Sequence, residues 1–295
     1  MTALAPRAHP RASDPPAGVY LASLAPSGRR AQATALTTIA EWLCPESGGI
    51  AYVPWEQVRY QHVAAVRERM LAAHYAPATV NRWLAALRGV LRQAWLLGLA
   101  TADDYQRACE VPPARGRRLP AGRAPDRHEV RRLLDAAKPR EAALVALLYG
   151  AGLRIQEAAD LYVETIDLGR RTLRVLGKGN AEREVPLAPW VVAALERWYV
   201  ERGAWSGPVL APAPAPRNPH PNTLASALER LTERAGVENL TPHDLRRGFV
   251  THLLAAGHDV ATVQALAGHA DPRTTTRYDR RTTDDRRRAV EDLAP

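Results

Sequence analysis

Thr241–Arg280 reads TPHDLRRGFVTHLLAAGHDVATVQALAGHADPRTTTRYDR. The stretch predicts helices at about Thr241–Ala256 and Val260–Ala267, followed by a final helical set carrying Tyr278. His243 and Arg246 stand three apart, so one helical turn brings them to a common face. His269 follows a glycine, and Tyr278 sits beside Arg277. A histidine, an arginine and a tyrosine brought together suit holding a phosphate while a phenolic oxygen attacks it.

Composition bounds the rest of the chain. The 295 residues suggest two domains, one small and one of ordinary size. With 46% hydrophobic and 24% charged residues, the chain can bury real cores. No apolar run approaches the ~20 residues that span a bilayer, and the start, MTALAPRAHPRASDPPAG, lacks a signal-peptide core. Cys44 and Cys109 form no CxxC pair, which points to a reduced, cytoplasmic protein without structural disulfides. A net charge of +9 favours a polyanionic partner, with nucleic acid the first expectation. Lys138 and Lys178 are the only lysines among 40 basic residues. Against that bias toward arginine, a lysine at a chemically suggestive place needs a reason.

Taken in order, residues 1–28 read as a flexible leader, with Tyr20, Leu21 and Leu24 available to pack on the first domain. Residues 29–110 predict that domain, small and helical. Its helices fall at about Arg29–Leu43, Trp55–His74, from Pro77 to Gly98, and near Asp103–Cys109. The third is the clearest: Val80, Trp83, Leu84, Leu87, Val90, Leu91, Ala94 and Trp95 form one apolar stripe. Arg82, Arg88 and Arg92 lie opposite, either as a DNA-gripping face or as a solvated one. Residues 111–125, VPPARGRRLPAGRAP, predict a flexible basic linker in which Arg115, Arg117 and Arg118 can lie along a phosphate backbone. Residues 126–295 form a second, α-rich domain. It opens with a helix at Asp126–Ala137 and an apolar helix at Arg140–Tyr149, followed by a break at Gly150 and Gly152. Strands at Arg171–Leu176 and Arg183–Leu187 flank the turn Gly177–Asn180 as a β-hairpin. Helices at about Trp190–Arg202 and Thr223–Ala235 precede the opening stretch.

Several side chains offer chemistry. Arg154 follows the glycine break and opens a helix, a place that favours a bound oxyanion. With Arg246 it would clamp the non-bridging oxygens of one phosphodiester through planar forks. Taken alone, pairing with Glu157 or Asp160 on its own helix is the commoner explanation of Arg154. Lys178 sits at a glycine-flanked hairpin tip; unlike arginine it can release a proton at neutral pH. GKGN lacks the spacing and context of a P-loop. His243 and His269 can donate to phosphate oxygens or move protons, and no HExxH or Cys partner spacing supports a metal among the histidines. Tyr278 needs positive charge or a base beside it to act as a nucleophile.

The joint pattern decides the matter. Arg154 in YGAGLRIQEAADL, Lys178 in GKGN, His243-Asp-Leu-Arg246, His269 in LAGHA and Tyr278 in TTTRYDR resemble the tyrosine recombinase (phage integrase) family in order, spacing and flanks over about 29–290. The resemblance implies a mainly α fold: a helical-bundle, SAM-like core-binding domain, then a catalytic domain with a small β-hairpin. It implies cutting and rejoining of double-stranded DNA through a 3′-phosphotyrosine on Tyr278, without metal or other cofactor. Arg154 and Arg246 would hold the phosphate, His243 and His269 assist, and Lys178 protonate the leaving 5′ oxygen. It further implies a nucleoid-associated tetramer on DNA, with about 282–295 exchanged between neighbours. Gly248 departs from the family's more usual threonine. Relaxation of DNA by a type IB topoisomerase-like activity and a DNA-binding regulator that no longer cuts are the competing expectations. The complete set of site residues argues against the second of these.

Overall fold

A computed structural model describes residues 15–116, 122–177, 182–212, 217–238 and 240–268. The chain divides into two units, residues 1–120 and 121–295. The first unit is helical: α1 (Pro16–Ala22), α2 (Pro26–Leu43), α3 (Tyr60–Ala72), α4 (Pro77–Leu96) and α5 (Ala102–Cys109). Proline opens α1, α2 and α4, where its fixed φ suits the first turn and its missing N–H is no loss. Helix α4 is the spine. Val80, Leu84, Leu87, Val90 and Ala94 are fully buried along the expected stripe, and the first four pack with Leu36 and Ile39 of α2 and Val63 and Val66 of α3.

Three expectations change in this unit. Trp95 leaves the stripe: it is exposed at the end of α4 and stacks on Tyr105 at 5.4 Å. The single helix expected over 55–74 breaks after a short 3-10 turn at Trp55–Gln57, with Val58 extended. Trp55 is wholly buried and its indole donates to the Ile50 carbonyl at 2.8 Å, so the chain must turn before α3 begins. Finally, part of the expected leader is α1. Its Tyr20 lies against Gly89 so closely that a Cβ there would sit 2.2 Å from the ring. Glycine at 89 lets α1 dock on the spine.

The second unit is built around α7 (Pro139–Val145), which runs into a π-turn at Ala146–Gly150. Ala142 to Leu148 are all buried, as expected of an element covered on every side. Around it stand α6 (Arg127–Ala136), α8 (Ile155–Ala159), α9 (Pro189–Arg202), α10 (Pro221–Arg234), α11 (Pro242–Ala255) and α12 (Val260–Ala267). Asp126 caps α6 in a capping box with Glu129, as the sequence pattern requires. The strands are β1 (Ile166–Asp167), β2 (Thr172–Leu176) and β3 (Glu182–Pro186), antiparallel in the order β1-β2-β3. The two-residue β1 has no sequence signature and was not expected. In the β2–β3 pair, Leu173 faces Val185 and Val175 faces Arg183. Alternation places Arg183 on the same face as buried Val185.

The segment expected as a flexible linker is held at both described ends. In the first unit Asn81 of α4 pairs with the Ala114 backbone through both its amide groups, at 2.7 and 3.1 Å. In the second, the Arg123 N–H donates to Asp244 Oδ1 at 3.0 Å. Residues 117–121, with Arg117 and Arg118, lie outside the described residues, as do the hairpin tip 178–181 and everything after Gly268. Among the described residues, no helix is long and apolar enough to cross a membrane.

Candidate active site

The site begins where α7 ends. The π-turn and the sharp bend at Gly152, with φ of +64°, bring the chain out of the core to Arg154, the N-cap of α8. Gly152 is required twice over: a Cβ there would lie 2.4 Å from the Phe249 ring in a backbone region unfavourable to other residues. From the N-cap, the Arg154 backbone N–H donates to Glu157 Oε2 at 2.8 Å and its Nη1 to Glu157 Oε1 at 2.7 Å. Its Nη2 reaches the Gly268 carbonyl at 2.7 Å. Of the two partners considered for Arg154 on its own helix, Glu157 takes the role. Asp160 instead accepts from Gln156 and Asn218.

Arg246 arrives from the other side. Thr241 caps α11 in a capping box with Asp244, and His243 and Arg246 follow within the first turns. The Arg246 side chain is 4% exposed. Its Nη1 donates to the Gly152 carbonyl and lies 3.7 Å from Glu157 Oε2, while its Nη2 donates to the Ala267 carbonyl. A small apolar cluster of Phe249, Val250, Leu254, Val263 and Ala267 seats α12 against α11. The C-terminal carbonyls of α12 thus meet both guanidiniums, the end of a helix that favours positive charge.

A third arginine completes the cluster. Arg183 of β3 forks onto the same carboxylate, Nη1 to Oε1 at 3.1 Å and Nη2 to Oε2 at 2.8 Å, and its Nε donates to the Leu266 carbonyl at 3.2 Å. Burial alone would raise the Glu157 carboxyl, whose side chain is 6% exposed, but hydrogen bonds and charge from Arg183 and Arg154 win and hold it at about 2. Glu157 is therefore ionised at all working pH. Three guanidiniums around one carboxylate leave a local charge of about +2, suited to an anion of more than one oxygen.

His243 is exposed on α11, one turn before Arg246. Partial desolvation, then the positive charges of Arg247, Arg246 and Arg154, lower its pKa; Asp244 opposes them. Neutral at pH 7, it can donate one hydrogen bond without adding charge. Asp244 itself is buried, accepting from the Thr241 and Arg123 backbone N–H groups, the Thr241 hydroxyl and Arg247 Nη1. Gly248 packs against Pro125 and Tyr149, where a Cβ would sit 3.0 and 3.2 Å from their rings, so a larger residue would have to displace them.

Of the expected site residues, Arg154 and Arg246 converge on Glu157, and His243 stands beside them. Lys178, His269 and Tyr278 lie outside the described residues. Glu157 and Arg183 were missed as site members. The signals were present: a glutamate three residues after a helix-opening arginine, and an arginine on the inward face of an alternating strand. In the first unit, Arg82, Arg92 and Arg115 are exposed, whereas half-buried Arg88 donates to the Val111 carbonyl. That contact gives Arg88 a role in holding the segment after α5.

Comparison with known proteins now decides the lineage. Residues 125–284 match the model of the phage integrase family. The chain belongs to the phage integrase family of site-specific tyrosine recombinases. Tyrosine recombinase XerC of Alcanivorax borkumensis is 32% identical over 238 residues, 76% of each chain. Tyrosine recombinase XerA of Thermococcus kodakarensis is 35% identical over 223 residues, 74% of this chain and 76% of that one. The fold matches the Tn1549 transposon integrase solved with transposon right end DNA, with a TM-score of 0.67, 17% identity, and coverage of 96% of this chain and 100% of that one. It also matches the XerH recombinase bound to a palindromic difH substrate, with a TM-score of 0.60, 21% identity, and coverage of 80% and 72%. The mainly helical fold with a small antiparallel sheet is thus that of tyrosine recombinases.

Proposed function

We propose that the chain cuts double-stranded DNA at paired recombination sites by attack of the Tyr278 phenolic oxygen on the scissile phosphorus. The phenolic proton leaves to a base or to solvent, the bond from phosphorus to the 5′ oxygen breaks, a 3′-phosphotyrosine forms, and Lys178 delivers a proton to the departing 5′ oxygen. Attack of a 5′-hydroxyl from the partner duplex reverses the step and joins the exchanged strands. Phosphodiester and phosphotyrosine are both phosphate diesters, so joining requires no ATP. Arg154 and Arg246 hold the non-bridging oxygens and offset the charge that develops on them. His243 and His269 donate further hydrogen bonds.

The observation that carries this reading is the convergence of Arg154 and Arg246 on one buried carboxylate. Two arms from distant parts of the sequence meet there with excess positive charge. The DNA-bound relatives support duplex DNA as the partner, and Arg82, Arg92, Arg115, Arg117 and Arg118 supply sequence-independent phosphate contacts. Assembly is a tetramer on two sites, made by exchange of about 282–295, in a nucleoid-associated protein. The relatives favour strand exchange over relaxation alone or regulation without cutting.

The test is a duplex nicked close to the cleavage position, so that release of a short 5′-hydroxyl fragment traps the covalent adduct. Wild type should give a protein–DNA band resistant to detergent. Tyr278→Phe should give none, and persistence of the band would remove Tyr278 from its role. Lys178→Ala should cleave slowly and recover on a 5′-bridging phosphorothiolate, whose sulfur leaves without a proton; no recovery would overturn Lys178 as the acid.

A further inference from the structure

Arg183 has no part in the chemistry assigned above, yet its surroundings are unusual for a strand residue. It occupies an inward register position on β3, opposite Val175 and on the face of buried Val185, where alternation calls for an apolar side chain. Its side chain is 13% exposed. A buried arginine is tolerated only when its donors are satisfied, and each of its three nitrogens has a partner. Both Nη atoms bind the Glu157 carboxylate, and Nε binds the Leu266 carbonyl. The fit is tight from the other side as well. Gly268 caps α12 in the left-handed region, and a Cβ there would lie 2.8 Å from the Arg183 guanidinium carbon.

These contacts close a ring. Arg183 holds Glu157; Glu157 holds Arg154 by backbone and side chain; Arg154 Nη2 holds the Gly268 carbonyl; and α12 returns to Arg183 through Leu266. The fork of Arg183 takes both carboxylate oxygens. Besides its backbone N–H, Arg154 is left to approach Glu157 with one guanidinium nitrogen, and its side chain stays 39% exposed. Without that fork, Glu157 and Arg154 are free to form the closed two-pronged pair that Arg–carboxylate geometry favours. That pair would draw the Arg154 fork away from an incoming phosphate.

The geometry points to Arg183 as a positioning residue for strand cleavage: it holds the Glu157 carboxylate so that the Arg154 guanidinium remains presented to the scissile phosphate. This rests on the proposed cleavage reaction, but assigns Arg183 no contact with DNA. Its loss should therefore slow the chemical step and leave site binding intact. It should also give the reaction a new proton dependence: left with Arg154 at 2.7 Å and Arg246 at 3.7 Å but deprived of the Arg183 fork, the buried Glu157 takes up a proton at higher pH and ceases to hold Arg154.

The experiment compares wild type, Arg183→Met, Arg183→Lys and the double variant Glu157→Gln/Arg183→Met on the nicked substrate. Adduct formation is followed across about pH 4.5 to 8, with binding of the intact site measured in parallel. Arg183→Met should bind as wild type within about 3-fold and cleave about 100-fold more slowly, the scale of a misplaced reacting group. Its rate should fall further toward acid along a second limb, beyond the one that protonation of His243 gives all four proteins, and this second limb should be absent from wild type and from the double variant. Arg183→Lys, which keeps the charge but loses the fork, should fall between. Three results overturn the assignment: an unchanged rate, an equal loss at all pH with no new limb, or a loss confined to DNA binding. If Arg183→Met does not fold, Arg183→Lys decides by the same limb. Failure of wild type to form any adduct would instead strike the cleavage reaction itself, so the two failures are separable.

Discussion

Replacing Glu157 by glutamine removes the one negative charge among three guanidiniums while keeping the side chain's shape. The magnitude comes from the carboxyl's titration. Its ordinary value of 4.5 is drawn down to about 2 in the folded chain, which corresponds to on the order of 3 kcal/mol of stability. The side chain is 6% exposed, so little of that is screened by solvent. The sign is that of a depressed acid. The contribution is fully present above the unfolded carboxyl's pKa and is lost as pH falls through about 2. Wild type should therefore exceed Glu157→Gln by roughly 3 kcal/mol at pH 7 and by roughly half that at pH 3. The assay is urea unfolding read by pulsed amide exchange at residues 143–148, within the core of the second unit. Reading those amides keeps the transition separate from that of the first unit. A difference below about 0.5 kcal/mol at pH 7, the range of an ordinary surface change, would refute the electrostatic account. So would a difference that does not shrink toward acid.

Other expectations rest on single positions. Gly152→Ala places a methyl 2.4 Å from Phe249 in a left-handed conformation, and should cost about 2–4 kcal/mol and slow cleavage; a wild-type urea midpoint would contradict this. Gly122 has φ of +89° and its added Cβ would meet Asp244 at 2.2 Å. Gly122→Ala should break the Arg123–Asp244 contact, seen as faster amide exchange at Arg123, and unchanged exchange would show the contact is not holding the segment. In the DNA-free protein, ¹⁵N NMR should show His243 titrating below 6.5, because desolvation and neighbouring arginines disfavour the charged ring. Binding of duplex DNA should raise that value; a free-protein value at or above 6.5 would refute the environment described.

Much of the helical framework was readable because its signals are local. The stripe on α4, its proline start and the capping box at Asp126 depend on residues within one or two turns, whereas α1 and the first turn of α2 fell in the stretch read as a leader. Where boundaries shifted, a distant contact was responsible. Trp55 broke a predicted helix by burying its indole. Trp95 left its stripe because the helix ends there and Tyr105 offers a ring to stack on. Strand β1 is only two residues long and exists through its pairing with β2, which no local pattern announces.

The candidate site divides in the same way. By itself the sequence determined the family and singled out Arg154, His243 and Arg246 as candidates, because the family resemblance rests on those residue types in a fixed order with recognisable flanks. It also placed His243 and Arg246 on one helical face, a consequence of 3.6 residues per turn. Only the tertiary structure decided which carboxylate those arginines share, that α12 presents its terminal carbonyls to both, and that a strand arginine 26 residues beyond Glu157 grips the same group. The reason is physical. Periodicity reports which way a side chain faces relative to its own element, whereas a charge network depends on where separate elements meet. That meeting is set by the packing of α7, α11 and α12, not by any stretch that can be read alone.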